Sequence, residues 1–442
     1  MASAKLGVGV IGCGTVGGGV VKLLVAEKEH LLRKTGVTIE LRKAADLDAQ
    51  KRAATGLPAA LLTADAASLL GDPDIQVVVE VIGGIKPAQA FIETALAAGK
   101  HVVTANKELI AKKGPELLAL ARKHGVTLHF EASSCGGIPV IHAFGQSLAA
   151  NRFEKILGIV NGTTNFILTK MYREGAEFAD VLGEAQRLGY AEADPTADID
   201  GHDAAYKLAI LASMAFDSHF DYREIHTEGI RGITAHDIAI AKSYGYVVKL
   251  LAIGVAHDDS RVELRVHPVM VPEAHPLAAV NDAFNAVFAR GNYVGDVMFY
   301  GRGAGELPTA SAIVGDIIDL AMHQTGGGTS PRMNFGSQNK AIVPMGEVKT
   351  QFYLRLDVTD KPGVLATIAR IFGDCGVSIS AVTQKEASGE SVELVIFTHE
   401  VAESDFQRAI SGIAKLDVVV GVRSMIRTHI CCLLYTSDAA DE

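Results

Sequence analysis

The sequence predicts an α/β protein built from a doubly wound parallel sheet, an α+β domain and a small βαββαβ domain. Three observations lead to this prediction. Strand and helix patterns alternate up to about residue 131, the alternation breaks down from about residue 150, and six short segments after Thr350 follow the order β-α-β-β-α-β. Alternating βα units form parallel sheets covered by helices on both faces. A βαββαβ order is typical of a ferredoxin-like unit.

In the first domain, buried apolar runs and amphipathic stretches succeed one another in short units. The predicted strands are 6–11, 37–46, Gln76–Val81, His101–Thr104 and Thr127–Glu131. The predicted helices are about 16–32, 65–71, 87–98 and 108–124. Hydrophobic periodicity distinguishes the two kinds of element. The order of the units indicates a parallel sheet with crossover helices.

The second domain mixes helical and strand-like stretches, and the third is more regular. The second has predicted helices at 164–173, 178–188, 203–216 and 235–249 and strand-like runs at Val262–Val271 and Asn281–Phe288. The third has predicted strands at 351–358, 377–386, 391–399 and 418–426 and helices at 364–376 and 402–415. The turn Asp360-Lys-Pro-Gly363 separates its first strand from its first helix.

The same patterns predict the domain boundaries. We expect a first domain at 1–150, a second domain at 151–303, a glycine-rich linker at 324–349 and a third domain at 350–428. A helix at 304–323 is expected to pack back on the first domain. Residues 429–442 break every pattern and contain two of the five cysteines, so we interpret them as a non-native tail. A Cys-Cys metal-ligand pair and a lipid site are the alternatives, but no lipidation motif accompanies them.

Composition and charge exclude several classes of protein. Of 442 residues, 21% are charged and 48% hydrophobic, which predicts a soluble globular chain rather than a disordered one. The formal net charge is −10, without a run of lysines or arginines, so a nucleic-acid partner is not expected. No apolar run approaches the ~18 residues of a membrane span. Five scattered cysteines, an odd number, fit a reducing cytoplasm.

A glycine motif follows the first strand and opens the first helix. In Gly12-Cys-Gly14-Thr15-Val16-Gly17, the first glycine suits a tight turn and the second lets the backbone approach a pyrophosphate. The third glycine lets the helix pack close to the sheet, and the helix N-terminus offers free N–H groups to phosphates. The context predicts dinucleotide binding on a Rossmann-type sheet. A glycine-rich turn that only packs closely is the alternative.

The choice between NAD and NADP depends on the end of the second strand. Asp46 would hydrogen-bond the ribose diol and repel a 2′-phosphate, which favours NAD. It lies 29 positions after Gly17, whereas the usual spacing is ~20. Lys43, Lys51 and Arg52 are near enough in sequence to receive a phosphate, so NADP stays open.

Two strand ends lead into loops that would border the same crevice. Glu80-Val-Ile-Gly83-Gly84 ends one strand, and Thr104-Ala-Asn-Lys107 ends the next. In an open parallel sheet, loops at the carboxyl ends of strands line the ligand crevice. A lysine there would point toward the nicotinamide. The alternative is a lysine that is simply solvated at the start of a surface helix.

An acidic loop precedes a strongly apolar helix. Five acids lie within twelve residues, namely Glu192, Asp194, Asp198, Asp200 and Asp203. Asp203 and Lys207 are four residues apart and share a helix face. A buried lysine beside carboxylates is costly unless it is functional or fully paired. A surface ion pair is the simpler interpretation, and calcium is disfavoured because the spacing lacks the EF-hand pattern.

Together these motifs resemble those of homoserine dehydrogenases over residues 5–428. The matching segments are 12–17, 80–84, 104–107, 161–167 (Asn-Gly-Thr-Thr-Asn-Phe-Ile), 185–207, 300–305 (Tyr-Gly-Arg-Gly-Ala-Gly) and 308–311 (Pro-Thr-Ala-Ser). The segment 185–207 is the most specific, because so many fixed positions match. Residues 351–428 resemble an ACT domain, a small-ligand regulatory module that some members of this family carry.

The resemblance implies an NAD(P)H-dependent reduction of L-aspartate 4-semialdehyde to L-homoserine, on the route to threonine and methionine. Lys207 would donate the proton to the carbonyl oxygen, Lys107 would lie between nicotinamide and substrate, and Asp203 would orient Lys207 or a water. Glu192 and Asp198 would hold the substrate ammonium. The NAD or NADP cofactor would contact Gly12, Gly14, Thr15, Val16, Gly17, Asp46, Gly83, Lys107, Gly189 and Gly303.

The resemblance also implies a monovalent cation, sodium or potassium, held by main-chain carbonyls. These would be the carbonyls of Glu131, Ser134, Gly136 and Ile138. The family usually has small apolar residues where this sequence has Ser134 and Cys135, although carbonyl ligation tolerates a change of side chain. Cys135 as a nucleophile is the alternative, but hydride transfer to a free aldehyde needs no covalent intermediate.

The ACT-like unit predicts regulation and assembly. We expect threonine as the effector, bound near Asp360 and Gly363, and a homodimer or homotetramer. A domain that only mediates assembly is the alternative. Two rival functions stay open: an oxidoreductase acting on another small amino acid or aldehyde, and an inactive sensor of a nucleotide and an amino acid. Retention of four residues together argues against the sensor, namely Lys107, Glu192, Asp203 and Lys207.

Overall fold

The computed structural model describes residues 4–325, 335–336, 338–384 and 391–428. The linker expected at 324–349 lies partly, and the tail expected at 429–442 entirely, outside the described residues. None of the helices in the described ranges is long and apolar enough to cross a membrane.

The first part of the chain forms a six-stranded parallel sheet. Its strands are β1 (Lys5–Ile11), β2 (Thr38–Ala45), β3 (Leu62–Thr63), β4 (Val77–Glu80), β5 (His101–Thr104) and β6 (Leu128–His129). Its helices are α1 (Thr15–Ala26), α2 (Lys28–Thr35), α3 (Ala49–Ala54), α4 (Ala66–Leu70), α5 (Ala88–Ala97) and α6 (Lys107–Lys123). The order β3-β2-β1-β4-β5-β6 extends outward from the β1–β4 pair, and all neighbours are parallel. This confirms the doubly wound sheet, whose ligand crevice lies where the strand order reverses.

The apolar strands explain why helices cover both faces of this sheet. Val8 and Val10 of β1 and Val78 and Val79 of β4 are fully buried. Alternate residues of a strand point to opposite faces, so consecutive buried valines require a helical layer on each side. The helix predicted at about 16–32 is two helices, because α1 ends at Ala26 and α2 begins at Lys28.

The second part of the chain combines a mixed sheet with seven helices. Its strands are β7 (Phe153–Ile159), β8 (His226–Thr227), β9 (Tyr246–Ala256), β10 (Arg261–Pro272), β11 (Phe284–Gly291) and β12 (Gly295–Arg302). Its helices are α7 (Val140–His142), α8 (Gly162–Glu174), α9 (Phe178–Arg187), α10 (Thr196–Ile199), α11 (His202–Ala215), α12 (Ala235–Ser243) and α13 (Glu306–Thr325). The main strands follow the order β12-β11-β7-β9-β10 with antiparallel neighbours.

Helix α13 returns to the first sheet and packs on α1. The contact is close because Gly19 of α1 has no side chain: a Cβ there would lie 2.9 Å from Glu306 and 3.1 Å from the Ala310 side chain. Ala310 and Ile313 are fully buried in the core under the first sheet. The chain therefore crosses back from the second part to the first.

The structure corrects the helix predicted at 235–249. Helix α12 ends at Ser243, Gly245 has a left-handed φ of 77°, and β9 begins at Tyr246. Eight consecutive residues of β9, from 247 to 254, are buried. Because a short apolar run shows neither period clearly, periodicity does not distinguish such a strand from a buried helix. The patterns also do not predict β7 and β12, and β11 begins three residues later than expected.

The third part of the chain is the expected ferredoxin-like unit. Its strands are β13 (Ala341–Ile342), β14 (Lys349–Thr350), β15 (Phe352–Thr359), β16 (Ile379–Gln384), β17 (Ser391–Thr398), β18 (Val401–Ala402) and β19 (Val419–Arg427). Its helices are α14 (Val364–Asp374) and α15 (Glu403–Ile413). The antiparallel order β19-β15-β17-β16 confirms the βαββαβ topology. Its core contains the stacked rings of Phe352 and Phe406, 3.8 Å between centroids.

Two strands, β13 and β19, join the third part to β10 of the second part. Strand β19 pairs with β15 and, through Val269 and Arg427, also lies parallel to β10. The two sheets are therefore one continuous 11-stranded sheet, and the third part is attached to the second by backbone pairing as well as by side chains.

Candidate active site

The glycine loop between β1 and α1 has the shape that a phosphate requires. Gly12 has φ +105°, and a Cβ there would lie 2.9 Å from the Val81 backbone. A Cβ on Gly17 would lie 1.8 Å from the Gly12 carbonyl oxygen, so the helix can approach the loop only because this residue is glycine. At Gly14 nothing lies within 4 Å of an added Cβ. The loop is thus packed at its ends and open in the middle, beside Thr15 and Val16 in the first turn of α1.

Asp46 is held against this loop. One carboxylate oxygen accepts a hydrogen bond from the Cys13 N–H (2.7 Å), and the other accepts one from the Asp48 N–H (2.9 Å). The Arg52 guanidinium donates to the Asp46 and Leu47 carbonyl oxygens on the same turn. An acid and a guanidinium therefore both lie at the end of β2.

The loops after β4 and β5 are locked together by buried polar side chains. The fully buried Glu80 carboxylate accepts hydrogen bonds from the Ile82 N–H (2.9 Å) and the Thr104 hydroxyl (2.7 Å). The Asn106 amide donates to the Gly84 carbonyl (2.7 Å), and its oxygen accepts from the Leu109 N–H (3.1 Å), capping α6. Gly83 has φ +76°, as the turn requires.

These bonds fix the backbone from which Lys107 projects. The predicted site residues do not include Thr104 and Asn106. The signal that could have found them is the occurrence of polar residues at the ends of two neighbouring strands.

Two lysines share one buried aspartate at the crevice. Asp203 and Lys207, one turn apart on α11, pair at 2.7 Å, and Lys107 from α6 pairs with the other oxygen of Asp203. The Lys207 ammonium also donates to the Val160 carbonyl (2.7 Å). The Asp203 side chain is 4% exposed and that of Lys207 11%, whereas that of Lys107 is 43% exposed.

The charges in this cluster shift the pKa values of Asp203 and Lys107. Burial alone would raise the pKa of Asp203, but the adjacent Lys207 and Lys107 charges outweigh burial and hold that pKa well below its usual value. Burial disfavours the charged form of Lys107, yet the carboxylates of Asp203, Asp198 and Glu192 raise its pKa above the usual value. These shifts favour an ionised Asp203 carboxylate paired with a charged Lys107.

Asn161 connects this cluster to the acidic loop. Its amide nitrogen donates to Asp198 (2.7 Å) and to Asp203 (2.9 Å), while its amide oxygen accepts from the Thr164 N–H and caps α8. The Thr163 hydroxyl lies 3.1 Å from the second Asp198 oxygen. The predicted site residues do not include Asn161, although an Asn-Gly-Thr-Thr sequence before a helix is a capping signal.

The remaining predicted residues lie farther from the lysines. Glu192 is exposed and its charge acts on Lys107, but it makes no described hydrogen bond to either lysine. Gly189, with φ +78°, forms the turn that leads into the acidic loop. Gly303 lies against the 131–138 loop, because a Cβ on Gly136 would lie 2.4 Å from the Gly303 carbonyl oxygen. The structure thus assembles Lys107, Asp198, Asp203 and Lys207 closely, with Glu192 at the edge.

Comparison with known proteins assigns this arrangement to a family. The homoserine dehydrogenase NAD-binding domain model matches residues 12–131, the homoserine dehydrogenase model matches 139–318, and the ACT domain model matches 352–417. The chain is 41% identical over 424 residues to the homoserine dehydrogenase of Bacillus subtilis, covering 96% of this chain and 98% of that protein.

The chain belongs to the homoserine dehydrogenase family. It is 43% identical over 428 residues to the Corynebacterium glutamicum enzyme, with 96% of each chain covered. The solved homoserine dehydrogenase of Thiobacillus denitrificans has a TM-score of 0.91 and 44% identity, covering 96% of this chain and 98% of that one. A hyperthermophilic archaeal homoserine dehydrogenase solved in complex with NADPH has a TM-score of 0.62 and 27% identity, covering 74% and 100%. This family member is therefore an NAD(P)-dependent oxidoreductase that acts on a CH–OH group.

The 131–138 loop of this homoserine dehydrogenase carries buried polar atoms that lack protein partners. In the described part of the chain, the hydroxyls of Ser133 and Ser134 and the side-chain amide of Asn285 are buried without a hydrogen bond. The Ile138 carbonyl accepts from the Val140 N–H (2.8 Å), and the Glu131 carbonyl lies 3.4 Å from the Ser134 nitrogen. Unsatisfied buried oxygens fit a bound cation or water.

Cys135 in this loop has no features of a nucleophile. It is fully buried, and burial raises the pKa of its thiol to about 12. A thiol reacts as the thiolate, which is scarce at neutral pH when the pKa is raised. Its φ of 60° is left-handed, which is unusual for a residue other than glycine and keeps the thiol inside the loop.

Proposed function

We propose that the lysine cluster reduces L-aspartate 4-semialdehyde to L-homoserine, with Lys207 as the proton donor. The observation that carries the proposal is the sharing of one buried aspartate by two lysines at the carboxyl edge of the nucleotide-binding sheet. The bound nicotinamide supplies the hydride. Hydride transfer leaves an alkoxide, which needs a proton and a positive charge. An ammonium group provides both.

The three members of the cluster have separate roles in this proposal. Two of the three donors on Lys207 are used by Asp203 and the Val160 carbonyl, so the third is available to the substrate oxygen. Asp203 orients both lysines and favours the charged form of Lys107. Lys107, the more exposed lysine, would lie between the nicotinamide and the substrate.

The acidic loop would recognise the amino group of the substrate. Asp198 is aimed by Asn161 and Thr163, and Glu192 is the second acid. Two lysines supply positive charge at the reacting end of the site, and carboxylates supply negative charge at the other end. The carboxylates would match the ammonium group of an amino-acid substrate. This feature favours an amino-acid aldehyde over a simple aldehyde.

Turnover measurements test this function directly. We expect reduced nicotinamide to appear when homoserine and either cofactor are added, faster as the pH becomes alkaline, because oxidation requires a neutral lysine as base. A rate that is flat or favoured by acid would count against a lysine base. Cofactor binding without turnover would favour the inactive sensor, and turnover with a different small amino alcohol only would favour the other oxidoreductase.

For the cofactor, we propose NAD or NADP, with Arg52 as the residue that receives a 2′-phosphate. Asp46 favours the unphosphorylated ribose, yet both of its oxygens accept backbone N–H groups and Arg52 lies on the same turn. The Arg52→Ala variant should lower kcat/KM for NADPH more than for NADH. Arg33→Ala, on the exposed face of α2, is the matched control. Equal losses with both cofactors would remove Arg52 from phosphate recognition.

We propose that the 131–138 loop binds sodium or potassium through the carbonyls of Glu131, Ser134, Gly136 and Ile138. The buried Ser133 and Ser134 hydroxyls support a polar occupant. Activity and thermal stability should both be higher in sodium or potassium chloride than in tetramethylammonium chloride at equal ionic strength. Equal values in all three salts would contradict the cation site.

We propose that threonine, bound near Asp360 and Gly363, regulates this site through a chain of contacts. Arg427 at the end of β19 pairs with Glu228 through both terminal nitrogens, each at 2.9 Å. Two residues later, the Ile230 N–H donates to the Ile199 carbonyl (2.8 Å) in the acidic loop. Gly229 lies so close that an added Cβ would be 2.1 Å from that same carbonyl oxygen. The segment 228–230 therefore links the ACT domain to the loop that contains Asp198.

Point variants test this link better than truncation, because removal of 349–442 would also remove Arg427. Asp360→Ala should raise the threonine concentration needed for half-inhibition, and Glu228→Gln should weaken inhibition without changing threonine binding. Allostery requires different threonine affinities in two states. Unchanged inhibition in both variants would leave the ACT domain as an assembly module.

We further propose a homodimer or homotetramer in the cytoplasm, with the domain division 1–150, 151–303 and 350–428. The outer strand β12 supports assembly: it is an edge strand on which Met298 and Tyr300 are exposed. Exposed apolar edge strands tend to pair with another copy. Sedimentation velocity should give a mass at least twice that of the chain, and limited proteolysis should cut first between the proposed domains.

A further inference from the structure

A second cluster of titratable side chains adjoins the 131–138 loop. His129 ends β6, His142 ends α7, and Asp316 lies in the middle of α13. One ligand atom from each of these residues lies within 4.8 Å of the other two. Glu131 contributes a fourth side chain to the group. We propose that this cluster binds one divalent transition-metal ion, with zinc as the best-fitting ion.

The distances suit a metal site. His142 Nε2 lies 2.9 Å from Asp316 Oδ1 and 3.8 Å from Glu131 Oε2, and His129 Nδ1 lies 3.8 Å from the same Asp316 oxygen. Four ligands in tetrahedral zinc sites, with bonds of about 2.0–2.1 Å, are separated by roughly 3.3 Å. The observed separations fall on either side of this value. Two imidazoles and two carboxylates form a nitrogen–oxygen donor set that zinc accepts.

The ligand side chains are oriented by further hydrogen bonds. His142 Nδ1 lies 3.1 Å from Asp319, so a carboxylate holds one ring nitrogen while the other faces the cluster. Asp316 accepts the Glu131 N–H through its second oxygen (3.2 Å). The Glu131 carboxylate accepts the N–H groups of Ile141 (3.0 Å) and His142 (2.6 Å). Histidine ligands of metals usually carry such a carboxylate partner on the second nitrogen.

Burial and access also fit an ion. The side chains of His129 and Asp316 are fully buried, and that of Glu131 is 4% exposed, so two carboxylates lie together away from water. Such a pair is costly without a compensating charge. His142 is 21% exposed and lines a cavity of about 690 Å³, which provides an entry path.

This site is distinct from the cation loop proposed above. The loop would use main-chain carbonyls and an alkali cation, whereas the cluster offers imidazole nitrogens and side-chain carboxylates. A metal here would fasten α13, which follows the second sheet, to β6 of the first part of the chain and to α7. Its expected effect is therefore on stability, and its test does not depend on turnover.

Cobalt and zinc binding to the full, tag-free chain test the proposal. After dialysis against chelator, Co²⁺ titration should give visible absorption that saturates at one ion per chain, and Zn²⁺ should displace it. Zn²⁺ should also raise the unfolding temperature, because an ion that binds the native state stabilises it. The variant His142→Ala should weaken Co²⁺ binding by at least about 10-fold. His142 is partly exposed, so this position should tolerate truncation.

A control and a second variant keep the result interpretable. His257→Ala removes another histidine that lines the same cavity, and it should bind Co²⁺ as the unmodified chain does. Asp319→Asn should weaken binding by about 10-fold through His142 alone. The proposal is overturned if the unmodified chain binds no stoichiometric Co²⁺ or Zn²⁺, or if His142→Ala and His257→Ala bind equally.

Discussion

Two buried ionic clusters in this homoserine dehydrogenase contain similar groups in opposite proportion. In the active site, two lysines share one carboxylate, Asp203. At the junction with the ACT domain, one guanidinium is shared by two carboxylates: Arg427 bonds Glu228 at 2.9 and 2.9 Å and Glu403 at 2.8 and 2.7 Å. The side chains of Lys207 and Arg427 are both mostly buried, at 11% and 3% exposure.

The two clusters differ in the hydrogen-bonding capacity that remains once their ion pairs have formed. The guanidinium of Arg427 donates to both carboxylate oxygens of Glu228 and of Glu403. These hydrogen bonds connect the second and third parts of the chain. Lys207 uses two of its three donors on described residues, and its neighbour Lys107 is open to the crevice. A saturated pair stabilises a junction, whereas surplus charge with a spare donor is suited to a substrate oxygen. The predictions below test this distinction in order of decreasing effect.

Removal of Lys207 should affect catalysis far more than folding. Lys207→Met should lower kcat by about 10²–10⁴-fold, because the proton donor is lost while the apolar stem remains. Initial rates in both directions measure the change, and denaturation confirms the fold. Lys123→Met, at the exposed last residue of α6, is the control and should retain its rate. A loss of less than tenfold would contradict the role of Lys207.

Removal of Arg427 should affect folding far more than catalysis. Arg427→Met leaves Glu228 and Glu403 without their partner and should lower the free energy of unfolding by about 3–5 kcal/mol. Urea denaturation provides the measurement. The matched control is Arg408→Met, whose solvent-exposed pair with Asp405 should contribute little to stability. Equal small losses in the two variants would mean that the junction is not a stabilising cluster.

The junction should also weaken in acid. Burial disfavours the charged form of Glu228, but His226 and Arg427 outweigh it and hold the pKa of Glu228 well below the usual 4.5. A lowered folded-state pKa contributes stability that is complete above the usual value and is lost as the pH falls below it. The difference in unfolding free energy between the unmodified chain and Glu228→Gln should therefore shrink below about pH 4.5. A difference that stays constant from pH 7 to pH 3 would contradict this linkage.

The smallest expected effect is a change in pH dependence at the active site. Because Asp203 is the main group that raises the pKa of Lys107, Asp203→Asn should lower the pKa of that lysine. The alkaline limb of aspartate semialdehyde reduction, where the charge of Lys107 at the reacting end is lost, should move to lower pH, with kcat reduced but measurable. Initial rates of the unmodified chain and of Asp203→Asn across the alkaline range measure the shift. A limb that stays in place would mean that Asp203 has only a structural role.

Much of the fold follows from local patterns in the sequence. The glycine loop, the first sheet and the βαββαβ order depend on residues within a few positions of one another, and the predictions for them are confirmed. The pairing of Asp203 with Lys207 is of the same kind, since a helix brings residues four apart to one face. The prediction at 235–249 is wrong in its last residues because β9, buried over eight positions, has no alternation to reveal it.

The sequence by itself determined most elements of the first and third parts, the nucleotide loop and the acid–lysine helix, because chain geometry enforces these over short distances. Only the tertiary structure decided which distant groups meet: Lys107 at Asp203, Arg427 at Glu228, and His142 at Asp316. These contacts depend on where whole helices and strands pack, and that placement is set by the burial of apolar surface across the molecule. The hydrophobic periodicity of a single segment does not indicate this placement. The partners of a charged side chain therefore become visible only in the folded chain.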